Sequence, residues 1–169
     1  MKGEPIRIER RLVYRGRKIS LAVDEYLFNG EKFVVETVIH PGAVVVIPVL
    51  EGDKILYSKQ YRPALEEWII ELPAGTMRQE ESPEETATRE LEEETGYQAS
   101  IMEKLGVIYP TPGYSSERMH VFIARGLKPG KTRREPHEVM EMRSASLDTL
   151  MRLIRKGVLR DAKSIAALM

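Results

Sequence analysis

The segment from Gly75 to Tyr97, GTMRQEESPEETATRELEEETGY, specifies the start, the end and the facing of one short helix, and the rest of the fold must be built around it. Ser82 has the side chain of an N-cap, Pro83 suits the first helical position, where no amide donor is needed, and Glu85 completes a capping box. Gly96 supplies the positive φ that ends the helix. At about 100° per residue, Glu90, Glu93 and Glu94 fall within an arc of about 100°, while Ala87 and Leu91 mark an adjoining side that can face a core. Like charges so crowded destabilise a helix by roughly 0.2–0.5 kcal/mol per pair. The pattern calls for a compensating positive charge, and hard carboxylate oxygens suit a divalent cation such as Mg²⁺. Arg89 lies one turn after Glu85 and one turn before Glu93, so it can pair with either and hold a carboxylate in one rotamer.

Around this helix the chain reads largely as strands. Leu21 to Phe28 and Lys32 to Ile39 flank Asn29-Gly30, a two-residue hairpin signal, and Ala43 to Leu50 and Ile55 to Tyr61 flank Glu51-Gly52-Asp53-Lys54. Pro41-Gly42 separates the two hairpins, which predicts an N-terminal strand unit over residues 1–40 and a body over 41–169 within one fold. Further strands are expected at Ser100 to Val107, His120 to Ala124 and Glu138 to Arg143. Two helices follow, Leu147 to Lys156, capped by Ser146 and ended by Gly157, and Asp161 to Leu168. The expected class is α+β, a mixed β-sheet sandwiched between helices, with an N-terminal antiparallel strand unit.

Gly75, Glu81 and the run Arg89-Glu90-Leu91-x-Glu93-Glu94-x-Gly96 stand at the spacing of the Nudix signature, and Tyr97 occupies a last position that is usually Ile, Leu or Val. The chain therefore resembles a Nudix hydrolase. That resemblance implies hydrolysis of a nucleoside diphosphate linked to a second group, with cleavage inside the pyrophosphate. A diphosphate is a poor electrophile because its negative oxygens repel a nucleophile, and metal ions relieve that repulsion. The resemblance also implies site roles: Glu90 and Glu94 as principal metal ligands, Glu93 beside them, the backbone carbonyl of Ala74 as a further oxygen ligand, and Glu81 helping Arg89 to orient the carboxylates.

Pro112 lies fifteen residues after Tyr97, an offset that resembles the mark of the ADP-ribose pyrophosphatases. Gln60-Tyr61-Arg62-Pro63, Glu71-Leu72-Pro73-Ala74-Gly75 and Arg160-Asp161-Ala162-Lys163 are similar to the same subfamily. What this implies is conversion of ADP-ribose and water to AMP and ribose 5-phosphate with Mg²⁺, or with Mn²⁺ or another divalent ion in its place. Another nucleoside diphosphate sugar, a dinucleotide, or a noncatalytic nucleotide-binding module are the alternatives. Arg62 can clamp phosphate oxygens with its planar fork, a surface ion pair being the other reading, and Glu71 and Pro112 join it as substrate-binding candidates. The attacking water needs a proton acceptor within hydrogen-bond reach. Glu138, in REPHEVMEM, and Glu117, in GYSSERMH, are the candidates, with Glu117 alternatively reaching the metal.

Composition narrows the remaining options. The 26 basic and 26 acidic residues cancel, which argues against nonspecific affinity for nucleic acid or an anionic membrane. Without cysteine there are no disulfides or thiolate metal sites. The longest apolar run, Ala43 to Leu50, is too short to span a bilayer, and no basic-then-apolar leader opens the sequence, so a cytoplasmic location is expected. Tyr26, Phe28 and Phe33 sit on a hairpin that is marginal alone in water and needs a partner surface. The subfamily resemblance implies that the surface belongs to a second copy, in a homodimer.

Overall fold

The computed structural model of the protein describes residues 3–132 and 139–169, and by internal contacts the chain divides into two compact units. The first comprises Met1–Gly42 with Tyr109–Arg118, and the second Ala43–Ile108 with Met119–Met169.

In the first unit, β1 (Ile6–Arg15), β2 (Ser20–Phe28) and β3 (Glu31–Ile39) form an antiparallel sheet in that order. The Asn29-Gly30 turn has φ of 53° and 85°, the pair of left-handed residues that a type I′ hairpin needs. Opposite one another across it, Tyr26 and Phe33 stack with ring centroids 5.5 Å apart. A buried carboxylate, Asp24, ties the sheet together: it accepts from Arg10 Nε and Nη2 at 2.6 and 2.7 Å and from Thr37 Oγ1 at 2.9 Å. The Arg10 hydrogen bonds hold Asp24 below the usual carboxylate range despite the opposing effect of burial. The segment 109–118 joins through Val38, whose N–H donates to the Tyr114 carbonyl (2.7 Å) and whose carbonyl accepts from Ser116 N–H (3.0 Å).

The second unit is organised on β4 (Ala43–Pro48), buried at every position. A continuous apolar run of this kind is what a strand covered on both faces requires. Val44 and Val46 pack with Phe122, Ala124 and, from α1 (Pro83–Thr95), Ala87 and Leu91. Ala43, Val45 and Ile47 point the other way, into a cluster with Ile55, Leu72, Met119, Val121, Leu159, Leu150 of α2 (Leu147–Arg155) and Leu168 of α3 (Ala162–Leu168). Within its sheet β4 runs antiparallel to β7 (Ala74–Thr76) and parallel to β9 (Met119–Pro129), which in turn pairs antiparallel with β8 (Tyr97–Ile108). A second antiparallel sheet places β5 (Lys54–Arg62) between β10 (Met140–Ser146) and β6 (Glu67–Glu71). The α+β class and the mixed sheet between helices are as expected. Among the described residues no helix is long and apolar enough to cross a membrane.

Because Leu91 is fully buried against β4, Leu91→Ala is expected to lower unfolding free energy by about 2–5 kcal/mol, against about 0.5–2 kcal/mol for loss of the cap in Ser82→Ala. Denaturant titration of both variants checks the order. Equal losses would contradict the two-faced packing of β4.

Candidate functional site

The capping residues fix α1 at both ends as the sequence requires. Ser82 Oγ accepts from Glu85 N–H at 3.2 Å, Glu85 Oε2 accepts from Ser82 N–H at 2.8 Å, and Gly96 leaves the helix at φ 75°. One correction follows: Arg89 does not pair with Glu85, whose carboxylate is occupied by the capping box. Its partners are Glu81, Glu90 and Glu93. Arg89 Nε and Nη2 donate to the two oxygens of Glu81 at 2.8 and 2.9 Å, and Nη1 donates to Glu90 Oε1 at 2.7 Å and Glu93 Oε2 at 3.1 Å. The Thr76 carbonyl accepts from Nη2 at 3.3 Å, so the guanidinium also anchors on β7.

This cluster shifts its own members. The hydrogen bonds from Arg89 bring Glu81 down from an ordinary 4.5 to about 2, with help from Arg78 N–H and Thr86 Oγ1, against a smaller opposing effect of burial. Burial disfavours the Arg89 cation, but Glu81, Glu90 and Glu93 outweigh it and raise its pKa above the usual value. Gly75 is the floor of the site. A Cβ on that residue would stand 1.9 Å from the Glu90 carboxyl carbon, so only glycine lets Glu90 lie over β7. Glu94, one turn beyond Glu90 on the same helix, is 5% exposed.

The donor set suits a divalent cation. Glu81, Glu90 and Glu93 set three carboxylates around the guanidinium groups of Arg89 and Arg78, Glu94 follows Glu90 by one helical turn, and carboxylate oxygens are the preferred ligands of such an ion. Among the described residues, no three carboxylates or histidines already converge as an ion-holding group. In this arrangement Arg89 is the positive charge that Glu81, Glu90 and Glu93 share.

A second charged network lies in the same unit. Arg62 grips Glu71 with two hydrogen bonds, Nε to Oε1 at 2.6 Å and Nη2 to Oε2 at 2.7 Å. Glu71 is 1% exposed, and its Oε2 also accepts from Lys163 Nζ. Burial pushes Glu71 up, but Arg62 and Lys163 together hold it below the usual carboxylate range. Arg62 in turn is held above its ordinary value, chiefly by the Glu71 hydrogen bonds and with support from the charges of Glu71, Glu94 and Asp161, against the opposing effect of burial. Thus Arg62, a candidate for phosphate contact, has one edge of its fork committed to a carboxylate. Nη1 remains outside that pair.

The second unit thus brings Glu81, Arg89, Glu90 and Glu93 into one ion-pair cluster and pairs Arg62 with Glu71; Ala74 on β7 and Glu94 on α1 lie in the same unit. Pro112 and Glu117 belong to the first unit, where Glu117 N–H donates to Ser115 Oγ at 3.1 Å. Glu138 lies outside the described residues. Sequence reasoning did not single out Arg78 and Thr76, which complete the Glu81–Arg89 cluster through backbone groups, Thr86, which does so through its hydroxyl, or Ser164; the only signal for Lys163 was the Arg160-Asp161-Ala162-Lys163 run.

Comparison with known proteins bears on the chain as a whole. A family model described as the NUDIX domain matches residues 39–168. The chain is 39% identical over 164 residues to an ADP-ribose pyrophosphatase of Bacillus subtilis, covering 95% of this chain and 89% of that protein. It is 37% identical over 163 residues to the methanol dehydrogenase activator of Bacillus methanolicus, covering 95% and 88% respectively. Among solved structures, one described as the crystal structure of an ADP compounds hydrolase superposes with a TM-score of 0.88 at 25% identity, covering 99% of this chain and 92% of that one.

The low pKa of Glu81 has a consequence for stability. A carboxyl whose folded pKa lies below its unfolded value contributes stability that is complete above the unfolded pKa and lost as pH falls through the folded one. The stability difference between the wild-type protein and Glu81→Gln is therefore expected to be constant above pH 4.5 and to shrink as pH falls toward about 2. Urea unfolding across that range measures it, and a difference that grows on acidification would contradict the assignment.

Proposed function

This chain belongs to the Nudix family, and we propose that it is an ADP-ribose pyrophosphatase of that family, hydrolysing ADP-ribose to AMP and ribose 5-phosphate with Mg²⁺, or with Mn²⁺ or another divalent ion in its place. The observation that carries the reading is the Arg89-centred carboxylate cluster seated over Gly75. Support for the substrate comes from the ADP-ribose pyrophosphatase and the ADP compounds hydrolase named above, which align along nearly the whole chain. Glu90 and Glu94 would hold the cation, with Glu93 beside them and the Ala74 carbonyl as a further oxygen. When bound, the ion neutralises diphosphate charge and makes water a better nucleophile near neutral pH.

The remaining chemistry falls to side chains. Arg89 restricts the rotamers of Glu90 and Glu93, which limits the reorganisation that holding an ion requires. Arg62 uses the part of its guanidinium that Glu71 leaves open to hold the diphosphate. Water adds to one phosphorus, the bridging P–O–P bond breaks, and both products leave as phosphate monoesters. The water's proton goes to Glu138, the general base in this reading, which precedes β10, and Glu117 is secondary. Pro112 is the remaining substrate-binding candidate.

Three measurements test this reading. A panel of nucleoside diphosphate sugars and dinucleotides incubated with Mg²⁺, with products identified by mass, should give its highest kcat/KM on ADP-ribose. On that substrate Glu94→Gln should lower turnover by orders of magnitude with the fold retained; near-normal turnover at saturating Mg²⁺ would remove the metal assignment. Separately, Glu138→Gln should lower turnover at least about tenfold more than Glu117→Gln, since general-base assistance is worth about 10²–10⁴-fold. The reverse order would move the role to Glu117.

A fourth measurement concerns assembly. In the N-terminal sheet β1 is exposed along its whole length, and Ile6 (65%), Val34 (63%) and Phe33 (41%) present apolar surface. A second copy of the chain is the proposed cover, in a two-fold dimer burying more than about 2,000 Å². Light scattering at micromolar concentration should report a dimer for the full chain and a monomer for Val34→Glu. A fully active monomeric wild type would return this sheet to an intramolecular role.

A further inference from the structure

The charged network around Glu71 joins the consecutive strands β5 and β6 to α3, which is remote from both in sequence. Glu71 on β6 receives Arg62 from β5 and Lys163 from α3. Lys163 Nζ also donates to Asp161 Oδ1 at 2.8 Å, and Asp161 Oδ2 caps α3 by accepting from Ser164 N–H at 3.0 Å. Ser164 Oγ, fully buried, accepts from Leu72 N–H at 2.7 Å, which pins α3 to the residue after Glu71. Formally the four charged groups cancel, two cations against two anions. Removing Lys163 leaves the buried Glu71 carboxylate with Arg62 as its remaining cation, a change that displaces side chains or costs stability.

Glu71 cannot serve the diphosphate directly, because it is an anion with almost no exposed surface and its oxygens already accept three hydrogen bonds. Its effect is on Arg62. A carboxylate can turn about its last torsion, and the Arg62 fork turns with it. Lys163 takes up the remaining acceptor capacity of Oε2 from the side of α3, so the carboxylate plane is defined by donors on both sides. We propose that Lys163, held by Asp161 and acting through Glu71, is a positioning residue that sets the orientation of Arg62 toward the diphosphate; this rests on the reading of Arg62 as the phosphate clamp. The C-terminal helix, remote in sequence from the carboxylate cluster, thereby takes part in substrate recognition.

Steady-state kinetics on ADP-ribose with saturating Mg²⁺ tests the proposal in a double-mutant cycle. Lys163→Met should raise KM at least about tenfold while kcat stays within about threefold, the pattern of lost uniform binding. Lys163→Arg, which keeps the charge, should recover most of the KM. In a Glu71→Gln background, adding Lys163→Met should raise KM no further, because the lysine acts only through the carboxylate. The double variant removes one charge of each sign, so it carries the test if Lys163→Met alone fails to fold. A wild-type KM in folded Lys163→Met, or multiplicative KM effects in the double variant, would overturn the positioning role alone. Absence of ADP-ribose hydrolysis in the wild-type protein would instead overturn the functional reading, and this proposal with it.

Discussion

Arg89 is held by three carboxylates and a backbone carbonyl, and the geometry of the site depends on that one guanidinium. Crowding Glu90, Glu93 and Glu94 on one helix is unfavourable in isolation, and Glu81 brings a further negative charge from the preceding loop. Arg89 offsets much of this repulsion while leaving the cluster anionic overall. A planar fork with five donors can engage several carboxylates in defined directions, which a lysine ammonium cannot do. The low pKa of Glu81 is the thermodynamic trace of the arrangement.

The cluster stays in place because the helix that carries it is anchored from the opposite side. Ala87 and Leu91 are fully buried against Val44 and Val46 of β4, so the rotation of α1 about its axis is set by core packing. The same strand aligns β7 through the pairs Val45 with Ala74 and Val44 with Gly75, bringing the glycine floor beneath Glu90. One buried strand thus positions both halves of the site, and the hydrophobic core and the charged cluster are two aspects of one packing arrangement.

Much of this was legible in sequence where the determinants are local. Ser82, Glu85 and Gly96 define their helix by contacts within a few residues, Asn29-Gly30 defines its turn by φ alone, and β4 declares itself as an unbroken apolar run. Other features carry no local signature. Strand β1 escaped because two register shifts interrupt its alternation and all of its residues are exposed, while β6 and β7 are too short to show a period. Arg89 reaches back eight positions to a loop glutamate, not one turn to Glu85, because the capping box had already claimed the nearer carboxylate. The Lys163–Glu71 contact spans 92 positions, and only the folded chain reveals it.

The central claim is that Arg89 organises the carboxylates into a site for a divalent cation. Titration of the protein with Mn²⁺, followed by electron paramagnetic resonance of the free ion, tests it most directly in the wild type and in Arg89→Lys, with circular dichroism to verify that α1 is retained. Lysine keeps the charge and the helix propensity but loses the fork, so the account predicts Mn²⁺ binding by the wild type and an affinity at least about tenfold weaker in the variant. Equal affinity in the two folded proteins would contradict it.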